Sequence, residues 1–153
     1  MISYLFAEAK DFEAVNALAR QAHDAHIAWR PDLFQKVKYP FEPSVFQHRT
    51  EKKQILLACE EDNIVAYAAY DIRKIELPML CPGTVLILDN LCVAENCRRS
   101  GIATKLIVYL CGLAKEWGCT DFQLNCYPEN AAGIALYESL DMRVKVVQYH
   151  KKL

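Results

Sequence analysis

Arg98, Arg99, Ser100 and Gly101 stand directly before a run whose apolar residues, Ile102, Leu106, Leu110, Leu113 and Trp117, fall at helical spacing. A helix that starts there presents unpaired backbone N–H groups and the positive end of its dipole. The chemistry this suits is anion binding. Gly101 lets the backbone approach a ligand closely, so N–H groups from about Arg99 to Ala103 converge on one anion. Ser100 and Thr104 add hydroxyl donors, and Arg98 and Arg99 add charge outside the cradle. With one glycine, the stretch is neither a Walker loop nor a dinucleotide fingerprint. The plain alternative is a capped helix behind a solvated basic loop.

A second constellation follows in "YPENAAGIALYESLDMR". Asn130 leads a helix after Pro128, and Tyr137 lies two turns on, which puts both on one face. A tyrosine so placed is ordinarily a core residue with its hydroxyl at the rim.

The elements that must position these residues read as one α/β domain with a mixed sheet, residues 1–153. "ISYLFAEA" is a first strand. Asp11 caps a helix that carries Phe12, Val15, Leu18, Ala19 and Ala22 on one face. The pattern breaks at "HIAWRPDLF", where Pro31 keeps Arg30 out of the helical region. "SVFQHRTEKK" is a short helix. "QILLACE" and "IVAYAAYDIRKIE", joined by the polar turn Glu61 to Asn63, form a hairpin. "TVLILDNLCVA" is apolar enough for the centre of the sheet. Gly118 ends the helix that Gly101 begins. "TDFQLNCY" is a further strand, and "MRVKVVQYHKKL" alternates as a last one.

Composition narrows the function. The chain has 153 residues, 53% hydrophobic and 24% charged, with a net charge of −1. A core is well supplied, and the basic footprint of a nucleic-acid binder is absent. The seven cysteines include no C-x-x-C pair. They read as reduced and mostly buried, in a cytoplasmic protein. No signal peptide or membrane span is expected. His23 and His26 are three apart, but no third ligand accompanies them, so no metal is expected.

The two constellations together resemble the GNAT-type N-acetyltransferases. Val93, Arg98, Gly101 and Ala103 match their R/Q-x-x-G-x-G/A motif, including the valine five residues before the arginine. Asn130 and Tyr137 match their later N-x-x-A-x-x-x-Y-x-x-x-G-F motif, with helix, strand and helix between the two. Gly133 stands at the usual alanine, and Asp141 and Met142 at the usual glycine and phenylalanine.

The resemblance implies a mixed sheet of about six to seven strands, splayed at its centre and flanked by about four helices. It implies acetyl-CoA as co-substrate. The pyrophosphate would sit on the backbone N–H groups of Arg99, Ser100, Gly101, Ile102 and Ala103, with Thr104 next. Asn130 would bond the pantetheine arm or its neighbours. Leu91 and Val93 would pair with pantetheine beside a β-bulge. A backbone N–H near Leu91 or Cys92 would polarise the oxyanion. Tyr137 would protonate the leaving thiolate. An amine needs a base, and Asp89, in mid-strand, fits if burial raises its pKa. The alternatives for Asp89 are a bond to a backbone N–H at the bulge or the binding of a cationic substrate. The same resemblance places the acceptor pocket at residues 23–34. Trp29 and Phe34 would be its walls, Asp32 would attract an ammonium, and His26 is the alternative base; otherwise these aromatics pack in the core where the helix ends. The acceptor would be a primary amine of a small molecule or peptide. A homodimer is in keeping with similar proteins. The rival reading is a CoA-binding module, catalytically weak, on the same fold.

Overall fold

The computed structural model describes residues 1–153. Five strands form one sheet in the order β1-β2-β3-β4-β5: β1 (Ile2–Phe6), β2 (Ile55–Glu60), β3 (Asn63–Ile75), β4 (Gly83–Val93) and β5 (Asp121–Leu124). The first four are antiparallel neighbours, and β4 pairs with β5 in parallel. Four helices complete it: α1 (Phe12–Trp29), α2 (Pro43–Glu51), α3 (Ile102–Glu116) and α4 (Ala131–Ser139).

The continuous apolar run of β2 has a reason. Ile55, Leu57 and Cys59 pack on one face of the sheet with Val15, Leu18 and Ala19 of α1 and Phe46 of α2. Leu56 and Ala58 pack on the other face with Ile102, Leu106, Leu110 and Ala114 of α3. A strand buried on both faces loses the period-2 alternation of a one-sided strand. Of the periodic set seen in the sequence, Ile102, Leu106 and Leu110 are buried here and Leu113 packs against them, whereas Trp117 lies past the helix end and is exposed.

Several sequence expectations need correction. Residues 142–153 form no strand, so the sheet has five strands rather than six or seven. The alternation is present, but nothing in the chain forms a ladder with it. Asp11 does not cap α1 with its side chain; its carboxylate accepts the Glu8 N–H at 2.8 Å and closes the 3-10 turn before the helix. All seven cysteines are free thiols, yet only Cys59 and Cys92 are buried, and Cys81 is exposed. The turn after α4 forms without its usual glycine. Asp141 takes the left-handed conformation there, φ +59°, which a short polar side chain tolerates better than most.

Candidate active site

Two features of β4 open a cleft in the sheet. Its register against β3 passes from Ala69↔Asn90 to Tyr70↔Leu88, so Asp89 is an extra, unpaired residue at a β-bulge. Its pairing with β5 stops at Leu88↔Leu124. From Asp89 to Val93, β4 therefore has a strand neighbour on the β3 side only. Leu91, Cys92 and Val93 line this open stretch, with Cys92 buried.

The loop after β4 leads into α3. Arg98 Nε–H donates to the Val93 carbonyl at 3.1 Å, and the Ser100 hydroxyl donates to the Cys97 carbonyl. Both tie the loop to the strand end. Arg99 and Gly101 adopt left-handed φ values of +63° and +78°. Gly101 is the N-cap of α3 and supplies no side-chain cap. The backbone N–H groups from Arg99 to Thr104 donate to no protein acceptor. Space beside Gly101 is open, with nothing within 4 Å of where a Cβ would stand. Consecutive free N–H groups at a helix start, with a bare glycine among them, fit a phosphate.

Asn130 is the N-cap of α4, and Tyr137 lies two turns along that helix. The Asn130 Oδ1 accepts the Gly133 N–H at 2.9 Å and caps the helix, which leaves Nδ2 without a protein partner. A Cβ at residue 133 would meet the end of this side chain, which would have to shift to admit it. The Tyr137 hydroxyl makes no hydrogen bond within the protein. Desolvation pushes its phenol up to about 12, and the Cys126 thiol nearby adds to the rise.

The two carboxylates expected on the acceptor side are both paired with arginines. Asp89 is exposed, not buried, because the bulge turns it outward, and Arg49 of α2 holds its carboxylate at 2.8 Å. Arg49 also donates to the Tyr70 carbonyl at 3.1 Å. Asp32 is clamped by Arg30 through two hydrogen bonds, at 2.9 and 2.7 Å, which hold its carboxyl down at about 2. Arg30 approaches Glu129 at 4.0 Å and His150 at 3.1 Å as well.

His26, Trp29 and Phe34 do come together. The His26 ring lies 5.4 Å from Trp29, 5.1 Å from Phe34 and 5.8 Å from Tyr127, and Phe34 lies 5.5 Å from Tyr127. His26 Nδ1 is 2.8 Å from the Ala22 carbonyl. A carbonyl only accepts, so Nδ1 donates there, and in the tautomer this bond selects the lone pair lies on Nε2. His23 is tied to the Gln35 carbonyl at 2.7 Å.

Sequence reasoning missed Arg49, Arg30 and Tyr127. Arg49 looks like a solvated charge on a short helix, and its partner is forty positions away. Tyr127 follows β5 directly and had no spacing to mark it.

The comparisons with known proteins agree with this geometry. The profile of the Acetyltransferase (GNAT) family matches residues 13–142. The chain is 28% identical over 105 residues to an aminoglycoside N(6')-acetyltransferase type 1 from Acinetobacter genomosp. 13, covering 68% of this chain and 72% of the relative. It is 39% identical over 59 residues to the chloroplastic GCN5-related N-acetyltransferase 4 of Arabidopsis thaliana. That match spans 39% of this chain and only 20% of the plant protein. Among solved structures, the tetramutant of the BH1408 protein from Bacillus halodurans superposes with a TM-score of 0.91 at 25% identity, over 100% of this chain and 99% of that one. With the profile covering most of its length, the chain belongs to the Acetyltransferase (GNAT) family.

Proposed function

We propose that this protein transfers the acetyl group of acetyl-CoA to a primary amine of a small molecule or peptide, by direct attack in a ternary complex. The observation that carries the reading is the run of partnerless N–H groups from Arg99 to Thr104, set beside the open stretch of β4.

Acetyl-CoA supplies an activated thioester. The N–H groups of Arg99, Ser100, Gly101, Ile102, Ala103 and Thr104 hold its pyrophosphate, with Arg98 bracing the loop. Backbone groups of Leu91 and Val93, and the free Asn130 Nδ2, pair with pantetheine. A backbone N–H at Leu91 or Cys92 meets the developing oxyanion. Holding donor and acceptor side by side removes much of the entropic cost of attack. His26 Nε2 takes the proton that the amine sheds. His26 is the better base on this geometry, because its lone pair is free while the Asp89 carboxylate is engaged by Arg49. Tyr137, kept protonated by burial, gives its proton to the departing thiolate. Trp29, Phe34 and Tyr127 shape the acceptor side, and Asp32 and Asp89 act there through their arginine pairs. We place the protein in the cytoplasm as a single domain, without metal. No helix is long and apolar enough to cross a membrane.

One observation favours the second reading, a CoA-binding module of weak activity. Both acceptor-side carboxylates are already neutralised by arginines, which leaves little to attract a cationic amine.

The test is product detection by mass spectrometry with acetyl-CoA and a panel of amines, amino sugars, diamines and peptides. The aminoglycoside-named relative makes amino sugars the first acceptors to try. An acetylated product, with kcat reduced about 10²–10⁴-fold in Tyr137→Phe and CoA binding retained, is expected. Tight CoA binding without any product selects the module, and no CoA binding overturns both readings.

A further inference from the structure

Asn90 of β4 has no part in the chemistry described so far. It follows the bulge residue Asp89 and lies in the stretch that has no β5 neighbour. Its side chain leaves the sheet on the face covered by α1 and α2. Tyr67, whose hydroxyl it meets, and Cys92, two residues on, both belong to the core cluster of that face. Leu91 and Val93 pack instead with the cluster under α3. Ala22 packs on the same cluster as Cys92, and its carbonyl holds His26. Asn90 and the base proposed for the amine thus stand on one side of the sheet.

The amide of Asn90 has a set direction. Tyr67 is fully buried, and its hydroxyl donates to Asn90 Oδ1 at 2.9 Å. Burial pushes that phenol well up, so the donor keeps its proton at neutral pH. With Oδ1 committed, Nδ2 carries two N–H groups on the other branch of the amide. They have no protein partner. No buried side-chain nitrogen or oxygen in the protein lacks one, so Nδ2 reaches accessible space. A buried hydroxyl therefore aims a pair of unused donors out of the core.

The chemistry of a donor narrows what it can hold. An ammonium only donates and finds nothing here. A neutral amine must keep its lone pair for the thioester. An oxygen is what remains. The thioester's own oxygen would follow the open edge of β4, where backbone N–H groups serve it, whereas the Asn90 side chain rises towards α1 and α2.

We propose that Asn90 determines acceptor specificity: Nδ2 donates a hydrogen bond to a hydroxyl or carbonyl oxygen that the acceptor carries close to its reactive amine, and Tyr67 is the positioning residue that aims it. The acceptors are then amino alcohols, amino sugars or amino acid derivatives, in preference to plain alkyl amines. The inference rests on the proposed acetyl transfer.

The experiment compares acceptors in pairs, ethanolamine against propylamine and glucosamine against cyclohexylamine, with acetyl-CoA saturating. In the native enzyme kcat/KM should favour the oxygen-bearing member about tenfold, the worth of one neutral hydrogen bond. The double variant Tyr67→Phe/Asn90→Leu replaces both partners by apolar groups and leaves no buried hydroxyl unpaired, so the fold should hold by circular dichroism. Its ratio within each pair should fall to about one, through a higher KM for the oxygen-bearing member, with the calorimetric Kd for CoA unmoved. Tyr67→Phe alone keeps the amide but frees it to turn, and its ratio should lie between. Structural damage would slow both members of a pair alike and leave the ratio where it was. That result overturns the specificity role, as does a native enzyme with no preference for the oxygen. Acetylation of none of the four amines, with CoA still bound, overturns the acetyl-transfer reading and the inference with it.

Discussion

Where the phosphates of CoA would rest, the protein offers backbone: six successive N–H groups that nothing else in the chain uses. Where an amine would enter, it offers side chains, and most are already bonded to one another. Asp89 is held by Arg49, Asp32 by Arg30, and His26 by the Ala22 carbonyl. The donor side is ready before any ligand arrives. Where the acceptor is expected, His26 Nε2 and the Tyr137 hydroxyl have no partner within the protein. The contrast teaches that one side is fixed by local conformation and the other by pairs between distant elements.

The largest effect should come from breaking the acceptor side at its free base. His26→Gln keeps an amide near the Ala22 carbonyl but removes the lone pair on Nε2. A drop in kcat of about 10²–10⁴-fold is expected, with the calorimetric Kd for CoA unchanged. An equal loss in Asp89→Asn and none in His26→Gln would return the base to Asp89. The alkaline side of the profile carries its own check. Tyr137 is raised to about 12, so between the ordinary tyrosine value of about 10 and its own it keeps the proton that a solvated phenol would lose. The kcat should therefore not fall near pH 10.

Next is the donor side. Gly101→Val puts a β-branched residue at φ +78°, a conformation costing L-residues about 1–2 kcal/mol or more. Nothing fills the space beside Gly101, so the expected damage comes from the backbone and not from a clash. The cradle should distort, and CoA affinity should fall about tenfold or more while the fold stays intact by circular dichroism. Unchanged affinity would mean that the free N–H groups are not the phosphate site.

These two sides also differ in how much the sequence disclosed. The cradle was legible because its parts are contiguous: the glycine, the helix period and the basic loop lie within a dozen residues. The hairpin of β2 and β3, the apolar β4 and the α3 face were legible for the same reason. The acceptor pairs were not. Arg49 and Asp89 come from α2 and a bulge in β4, and no spacing links a helix residue to an extra residue in a strand. The alternation in residues 142–153 promised a strand, but a strand exists only through a neighbour, and this chain supplies none. Asn130 was legible as a functional position, while its capping of Gly133 needed the glycine's environment to be seen.

A smaller effect should follow from freeing Asp89. Arg49→Met removes the guanidinium but keeps the apolar stem against the sheet. The Asp89 carboxylate is then unpaired, and a cationic acceptor should bind more tightly. KM for a diamine or amino sugar should fall a few-fold, about the value of one exposed ion pair, with KM for acetyl-CoA unmoved. A rise in acceptor KM would show that the pair itself shapes the pocket.

The smallest effect lies at Asp32. Its carboxyl is held at about 2, chiefly by the hydrogen bonds from Arg30 and further by that residue's charge. In the unfolded chain an aspartate titrates near 3.9. A carboxyl depressed in the folded state stabilises it fully above the unfolded value and loses that contribution as pH falls towards the folded one. The clamp is therefore intact at neutral pH and fades between about pH 4 and 2. Because Asp32 is exposed, water screens most of the pair, and the gain is small. Denaturant titrations should show Asp32→Asn slightly less stable than the native chain at pH 7, with the gap closing by pH 2. A gap that persists at pH 2 would trace the difference to packing around Arg30 and His150, and the acceptor side would then owe its order to shape more than to charge.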